Sequence, residues 1–430
     1  MLLNKSRTKF VLVAGLLAAL ALFVFSQQAP ATMASGQAVP DQYIIILADD
    51  VPAFGAANEM AQAHGLGLGH VYGKALNGFS ARVPAGRLQA LQNDPRVLSI
   101  EADRYVTINH CAERHPQHCD EPTPEPTPEP GGDQELPTGV SRIYGHLSST
   151  AAGNGSGMVD VDVAVIDTGV SDHEDLNIAG GINCAKGRNY SDGNGHGTHV
   201  AGTIAALDNN LGVVGVAPGA RIWAVRVLGN SGSGTWADII CGVDWVTANA
   251  DTIEVANMSL GGTGTGGSCS SDALHQAVCN AVNAGVTFVV AAGNESDDSA
   301  NHVPAAYDEV ITVSALADFD GAPGGNGSAT CRADQDDTFA SFSNYGSDVD
   351  IIAPGVCINS TWNNGGYNTI SGTSMAAPHV AGAAALYKAS NPNASPNQVK
   401  SALQSAGNTG WDNSDDGDNS KERLLDVSGF

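Results

Sequence analysis

The chain has 430 residues, 42% of them hydrophobic and 15% charged, which suits a globular fold with room for more than one domain. Its formal net charge is −26. A balance this acidic argues against nucleic acid as a partner, because phosphate backbones select basic surfaces, and it favours solubility and bound cations.

At the N-terminus Lys5, Arg7 and Lys9 flank the start of an apolar run from Phe10 to Phe25, and small residues follow in QQAPATMASG. This pattern predicts an export signal over residues 1–35. The run is short of the about 20 residues of a membrane span, with a retained anchor as the competing reading. No later stretch is long and apolar enough to span a bilayer, so the chain is expected to be secreted, extracellular and free of membrane once the signal is removed. A monomer is expected. Residues 41–108 read as strand (YIIIL), helix ending at glycine (PAFGAANEMAQAHG), strand (GFSARVP), helix (AGRLQALQND) and strand (VLSIEADRYV). That order predicts a small α+β unit on an antiparallel sheet. Residues 109–135 carry a Thr-Pro-Glu-Pro repeat. Prolines at every second position sustain neither a helix nor a central strand, so an extended acidic linker is expected. From 136 to 430 the texture is α/β. Runs such as MVDVDVAVIDTGV, ARIWAVRVL, VTFVVAAGN, EVITVSAL and DVDIIAPG are rich in β-branched residues, as strands covered on both faces are. TWADIICGVDWVTANA and SSDALHQAVCNAVNAG read as helices between them. The expected fold is a mostly parallel central sheet with helices on both faces, its site at the carboxyl ends of the strands.

NGHGTHVAGT sets His196 and His199 three residues apart. They are either metal ligands or a proton-transfer residue beside a structural one. Helical zinc pairs use a spacing of four with a glutamate between; here the spacing is three and the glutamate is missing. A zinc hydrolase therefore stands as the alternative reading. Asp167 ends the strand VDVAVI and begins D-T-G. Aspartic proteases use that motif in pairs that share a proton, and no second D-T-G or D-S-G exists here. Ser374, in GTSMAAPHVAG, opens a small-residue helix expected to run to about 386. Free N–H groups and the helix dipole at such a terminus stabilise a developing oxyanion; alone, the residue reads as an ordinary N-cap. Asn294 ends VVAAGN, where its amide can face the same cleft or serve a turn. Eight cysteines with no C-x-x-C pair suggest disulfides in an exported chain. Local pairing is expected, with Cys269–Cys279 and Cys111–Cys119 favoured.

Together DTGV, NGHGTHVAGT, MSLGG, AAGN and SGTSMAAPHVAG, in this order, resemble the subtilisin-like serine proteases. The resemblance covers residues 136 to the C-terminus. SDGNGHGTHVAG, VAPGARIWAVRVL, SFSNYGS and the spacing from Asn294 to Pro304 most resemble the proteinase K branch. Residues 41–108 resemble the family's inhibitor-like, ferredoxin-like propeptide. The resemblance implies a subtilisin-like fold and a secreted endopeptidase of protein and peptide substrates. It also implies a self-processing zymogen whose own propeptide is an intramolecular inhibitor. It assigns Ser374 as nucleophile, His196 as general base, Asp167 as its orienter, and Asn294 with the Ser374 N–H as oxyanion hole. Gly232, Ser233 and Gly234, with Ser259, Leu260 and Gly261, would line an extended substrate, and Ala291, Ala292 and Gly293 would wall the specificity pocket. His199 is expected to be structural and hydrogen-bonded locally. Calcium is an implied structural cofactor, held by Asp350 with backbone carbonyls near Asp308 and Val310; the competing reading of Asp350 is a surface aspartate. The cysteine positions differ from the branch, so no disulfide carries over. The linker is an insertion, and processing is expected near Asn109 or within the linker, just before Gln134. DNSDDGDN, near the C-terminus, lacks the full spacing of an EF-hand loop and reads as a solvated loop that binds cations weakly.

Overall fold

The strand Asp162–Asp167 is buried along its whole length. Side chains alternate across a strand, and here Val163 and Val165 enter one apolar cluster while Ala164 and Ile166 enter another. That two-sided burial follows from the strand's place in the middle of a sheet. The structure is a computed structural model that describes residues 35–108, 134–418 and 420–430. The expected signal up to residue 34, the linker from 109 to 133 and the Cys111–Cys119 pairing lie outside the described residues.

The main sheet runs in the order Ile178–Asn183, Arg221–Arg226, Asp162–Asp167, Val255–Met258, Thr287–Ala291, Ile311–Ala317, Ile351–Pro354, all parallel. The short strand Thr338–Phe339 joins Ile311–Ala317 antiparallel. Helices His196–Ala205 and Thr373–Ser390 cover one face, burying Val200, Ile204 and Val380 against Val163 and Val165. Helices Trp236–Ala248 and Ala273–Asn283 cover the other, burying Ile240, Val243 and Val278 against Ile166 and Val290. The expected α/β fold is therefore present.

Residues 38–108 form an antiparallel sheet in the order Val97–Ile108, Ala38–Leu47, Gly78–Arg82, Gly67–Tyr72. The helix Ala53–His64 ends where expected, at Gly65, whose φ of 65° is a left-handed conformation that glycine adopts without strain. Ile45 and Leu47 pack on this helix, and Ile44 and Ile46 join the cluster beneath the helices Trp236–Ala248 and Ala273–Asn283. Polar contacts fix the same junction. Glu101 accepts from the N–H of Ala273 at 3.0 Å and Asp103 from that of Ala237 at 3.0 Å, so each carboxylate sits at a helix N-terminus. Asp244 accepts from the N–H groups of Gly73, Lys74 and Ala75.

Three disulfides are present among the described residues: Cys184–Cys241, Cys269–Cys279 and Cys331–Cys357. The second was expected. The expectation of local pairing fails for the first, which closes a 57-residue separation because the sheet brings those two segments together. No helix among the described residues is long and apolar enough to cross a membrane.

Candidate active site

Asp167 closes its strand at the sheet's carboxyl edge, and His196 opens the helix His196–Ala205 beside it. Nδ1 of His196 lies 2.8 and 3.0 Å from the two carboxylate oxygens of Asp167, and both side chains are fully buried. Since a carboxylate only accepts, the proton sits on Nδ1 and leaves Nε2 as the basic nitrogen. Gly197 permits this approach. A Cβ there would lie 2.1 Å from the carbonyl of Gly169 and 3.2 Å from Asp167 Oδ1. Asp192, not foreseen from sequence, anchors the helix start. It accepts from the N–H groups of Gly195 and Thr198 and from the hydroxyls of Thr168 and Thr198.

Ser374 is the second residue of the helix Thr373–Ser390, which runs four residues beyond the expected end. Pro378 lies inside this helix and has no N–H, so the carbonyl of Ser374 lacks its i+4 donor. The hydroxyl of Ser259 fills that place at 2.8 Å, and the Ser374 hydroxyl donates to the carbonyl of Ser259 at 3.3 Å. Asn257 orients the Ser259 hydroxyl from 2.9 Å. Asn294 faces the same helix start. Its Oδ1 accepts from the N–H of Thr373 at 2.9 Å and from its hydroxyl at 3.0 Å. With Oδ1 held, Nδ2 is buried and has no hydrogen-bond partner among the described residues. Its two amide protons are thus left over for a further acceptor beside the start of this helix.

The groove beside these groups is filled. Val97–Ile108 inserts between Ser233–Thr235 and Leu260–Thr263 as the middle strand of an antiparallel trio. Val106 pairs with Gly234, Thr107 with Ser233 and Gly261, and Ile108 with Leu260. The N–H of Ile108 donates to the carbonyl of Gly232 at 2.9 Å. Gly232 has φ of 74°, and a Cβ there would lie 2.8 Å from Ile108 Cδ1, so glycine is required twice over. Ala291 and Ala292 are buried at the end of Thr287–Ala291. Asn344, another residue without an evident role in the sequence, braces that end. It donates to the carbonyl of Ala292 at 3.0 Å and accepts from the N–H of Glu295 at 2.9 Å.

The two histidines separate in role. His199 is fully buried, and its Nε2 donates to the carbonyls of Ile358 at 2.9 Å and Asn368 at 3.1 Å. These partners are remote in sequence, which corrects the expectation of local hydrogen bonding: the strands Ile358–Thr361 and Tyr367–Ile370 lie against this helix. Burial pushes its pKa down to about 3, so the ring is neutral. Among the described residues neither His196 nor His199 belongs to a group of three ligating side chains, as a zinc site needs, which weighs against the zinc-pair reading.

The predicted calcium donors converge, but on a cation the chain supplies itself. Lys400 Nζ lies 2.8 Å from Asp350 Oδ2 and donates to the carbonyls of Val310 at 2.9 Å and Asp308 at 3.3 Å. This corrects the assignment of Asp350, Asp308 and Val310 to calcium: an ammonium fills the place a divalent ion would need. Another acidic group does fit the oxygen chemistry of calcium. Carboxylate oxygens of Asp318, Asp320 and Asp336 lie within 4.8 Å of one another. Asp318 is pushed up to about 7 by burial, though Arg142 Nε stands 3.2 Å from its Oδ2.

Comparison with known proteins agrees with this arrangement. Residues 159–423 match the model of the subtilase family and residues 43–109 that of the peptidase inhibitor I9 family. The alkaline protease of Alkalihalobacillus alcalophilus is 44% identical over 318 residues, 74% of this chain and 70% of that one. Subtilisin Savinase of Lederbergia lenta is 45% identical over 272 residues, 63% of this chain and 91% of its own. A cold adapted subtilisin-like serine proteinase of known structure superposes with a TM-score of 0.56 at 39% identity, covering 68% of this chain and 98% of that one. The chain belongs to the subtilase family and is a subtilisin-like serine protease that carries an inhibitor-type propeptide.

Proposed function

We propose that Ser374, His196, Asp167 and Asn294 divide the work of peptide-bond hydrolysis. His196 Nε2 takes the hydroxyl proton as Ser374 Oγ bonds to the scissile carbonyl carbon. Asp167 holds the ring and supports the imidazolium. Asn294 Nδ2 and the Ser374 N–H bind the oxyanion. The same proton then passes to the leaving amine, giving an acyl-enzyme, and water repeats the sequence to release the acid. Gly232 to Gly234 and Ser259 to Gly261 hold substrate by strand addition, and Ala291 to Gly293 wall the pocket for the residue at the cleavage point.

The observation that carries this reading is the tail strand. Its pairing advances from Gly261 opposite Thr107 to Leu260 opposite Ile108, toward Ser259, whose carbonyl receives the Ser374 hydroxyl. That direction supports processing just after the strand, near Asn109, over processing before Gln134. The precursor then divides into signal 1–35, inhibitory propeptide 41–108, linker 109–135 and peptidase domain 136–430, and works as a secreted, extracellular monomer. Purified Ser374→Ala precursor tests the assignment. It should stay full length and cleave no peptide, and persistent cleavage or self-processing would overturn it. The mass of the propeptide released by the active parent reads the cleavage point directly.

Within the family we read the chain as proteinase K-like, on the wording of VAPGARIWAVRVL and SFSNYGS. A phylogeny of peptidase-domain sequences that groups it with the alkaline subtilisins would overturn that placement. Structural calcium is part of the proposal, with Asp318, Asp320 and Asp336 as carboxylate donors. Asp336→Asn should then reduce the loss of thermal stability that a calcium chelator causes.

A further inference from the structure

We propose that the side chains of Ser259 and Asn257 are positioning residues for the nucleophile, acting through the backbone carbonyl of Ser374. The proposal rests on Ser374 being the nucleophile and names what holds it in place. In sequence Ser259 counts only as part of a substrate-lining backbone, and Asn257 has no evident role. The need for both starts at Pro378. In a helix the carbonyl of residue i accepts from the N–H of residue i+4. Pro378 has no N–H, so the Ser374 carbonyl lacks that bond in the first turn of the helix Thr373–Ser390. Ser374 is fully buried, and a buried carbonyl without a donor is unfavourable. The hydroxyl of Ser259 supplies the donor at 2.8 Å.

A hydroxyl has one proton to give. Asn257 Nδ2 donates to Ser259 Oγ at 2.9 Å, which leaves that proton for Ser374. Asn257 lies in the strand Val255–Met258, opposite Val165 and Val289 of the neighbouring strands, and is fully buried. A primary amide is costly in such surroundings, and its Oδ1 has no hydrogen-bond partner among the described residues. An apolar side chain would serve packing better here. What the amide adds is the direction of the Ser259 hydroxyl.

The nucleophile is then held from both sides. Before it, Asn294 Oδ1 takes the N–H and the hydroxyl of Thr373, and the N–H of Gly293 donates to that hydroxyl at 3.2 Å. After it, the Ser374 carbonyl is held by Ser259. These bonds fix the backbone on either side of the Ser374 Cα, and with it the direction of Oγ and of the Ser374 N–H. A misplacement of about 1 Å can cost about 10²-fold in rate. The hydroxyl therefore acts on turnover, whereas the Ser259 backbone acts on substrate binding.

Steady-state hydrolysis of a chromogenic peptide tests this. Ser259→Ala keeps the substrate-lining backbone, so kcat should fall about 10–100-fold while KM stays within about twofold. Rescue is the deciding measurement. Pro378→Ala restores an N–H at the i+4 position of Ser374, so kcat of Ser259→Ala/Pro378→Ala should return to within about threefold of Pro378→Ala alone. General loss of packing support would not be repaired by one N–H in another element. Asn257→Ala frees the hydroxyl to rotate and should give a smaller loss of the same kind, repaired in the same background. Thermal melts confirm that each variant is folded at the assay temperature. A Ser259→Ala enzyme with kcat within about twofold of the parent, or a loss of equal size in the Pro378→Ala background, would overturn the proposal and leave the triad standing. Peptide cleavage by Ser374→Ala is the separate outcome that would overturn the reading beneath it.

Discussion

His199→Ala should damage the fold and spare the chemistry. The wild-type ring is fully buried and bridges the helix His196–Ala205 to two strands through the carbonyls of Ile358 and Asn368. Truncation leaves two buried acceptors short of a donor and opens a cavity the size of an imidazole. Lost hydrogen bonding at about 1–3 kcal/mol and the cavity together imply a loss of about 2–4 kcal/mol. For a domain of this size that is a fall in Tm of about 5–12 °C. A pH signature accompanies it. The folded pKa of about 3 lies below the ordinary 6.5. Between those values the unfolded chain binds the extra proton, so this contribution is complete above pH 6.5 and is lost as pH falls toward 3. Its ceiling is about 5 kcal/mol at 1.36 kcal/mol per unit. Thermal unfolding of Ser374→Ala protein from pH 7 to pH 4, with and without His199→Gln, measures the slope. Peptide hydrolysis by the active His199→Ala and His196→Ala proteins measures the chemistry. Turnover should survive within a few-fold in the first and vanish in the second. Equal loss of turnover in two folded variants, or an identical acid slope with and without His199, would refute the reasoning.

Three other substitutions test the remaining geometry. Asn294→Ala should lower kcat about 10²–10³-fold with KM little changed, the range known for loss of one oxyanion donor in a subtilisin; steady-state hydrolysis of a chromogenic peptide checks it, and a loss under tenfold would count against the role. Lys400→Met removes the ammonium from Asp350 and the two carbonyls. It should destabilise by about 1–3 kcal/mol for a partly buried pair, and calcium should restore more stability to the variant than to the parent in thermal melts. Asp244→Ala removes the acceptor for the N–H groups of Gly73, Lys74 and Ala75. The propeptide should then let go sooner, shortening the lag before full activity in a processing time course.

The legible part of this protein is local. A β-branched run ending in Asp167 predicts a covered strand with a carboxylate at its edge, because strand burial and side-chain alternation depend on immediate neighbours. Glycine at 65 ends a helix and glycine at 197 lets an aspartate approach a histidine, for the same backbone reason wherever such chains fold. His196, Ser374 and Asn294 could be read because each stands in a short motif at the end of an element. Tertiary structure alone decided who meets whom. Ser259 takes the helix bond that Pro378 cannot make, Asn344 braces Ala292, and Cys184 finds Cys241, all across separations that local preference does not encode. Lys400 belongs here too, since nothing near it in sequence says that its ammonium will occupy the place expected for calcium. The acidic loop near the C-terminus is the sharpest case. Its composition alone implies solvation, and only the packing of Trp411, Tyr345 and Leu424 around it leaves Asp416 5% exposed and Glu422 half-buried. Burial of a charge is a property of the assembled surfaces, so the sequence names the carboxylates and the fold sets their electrostatics.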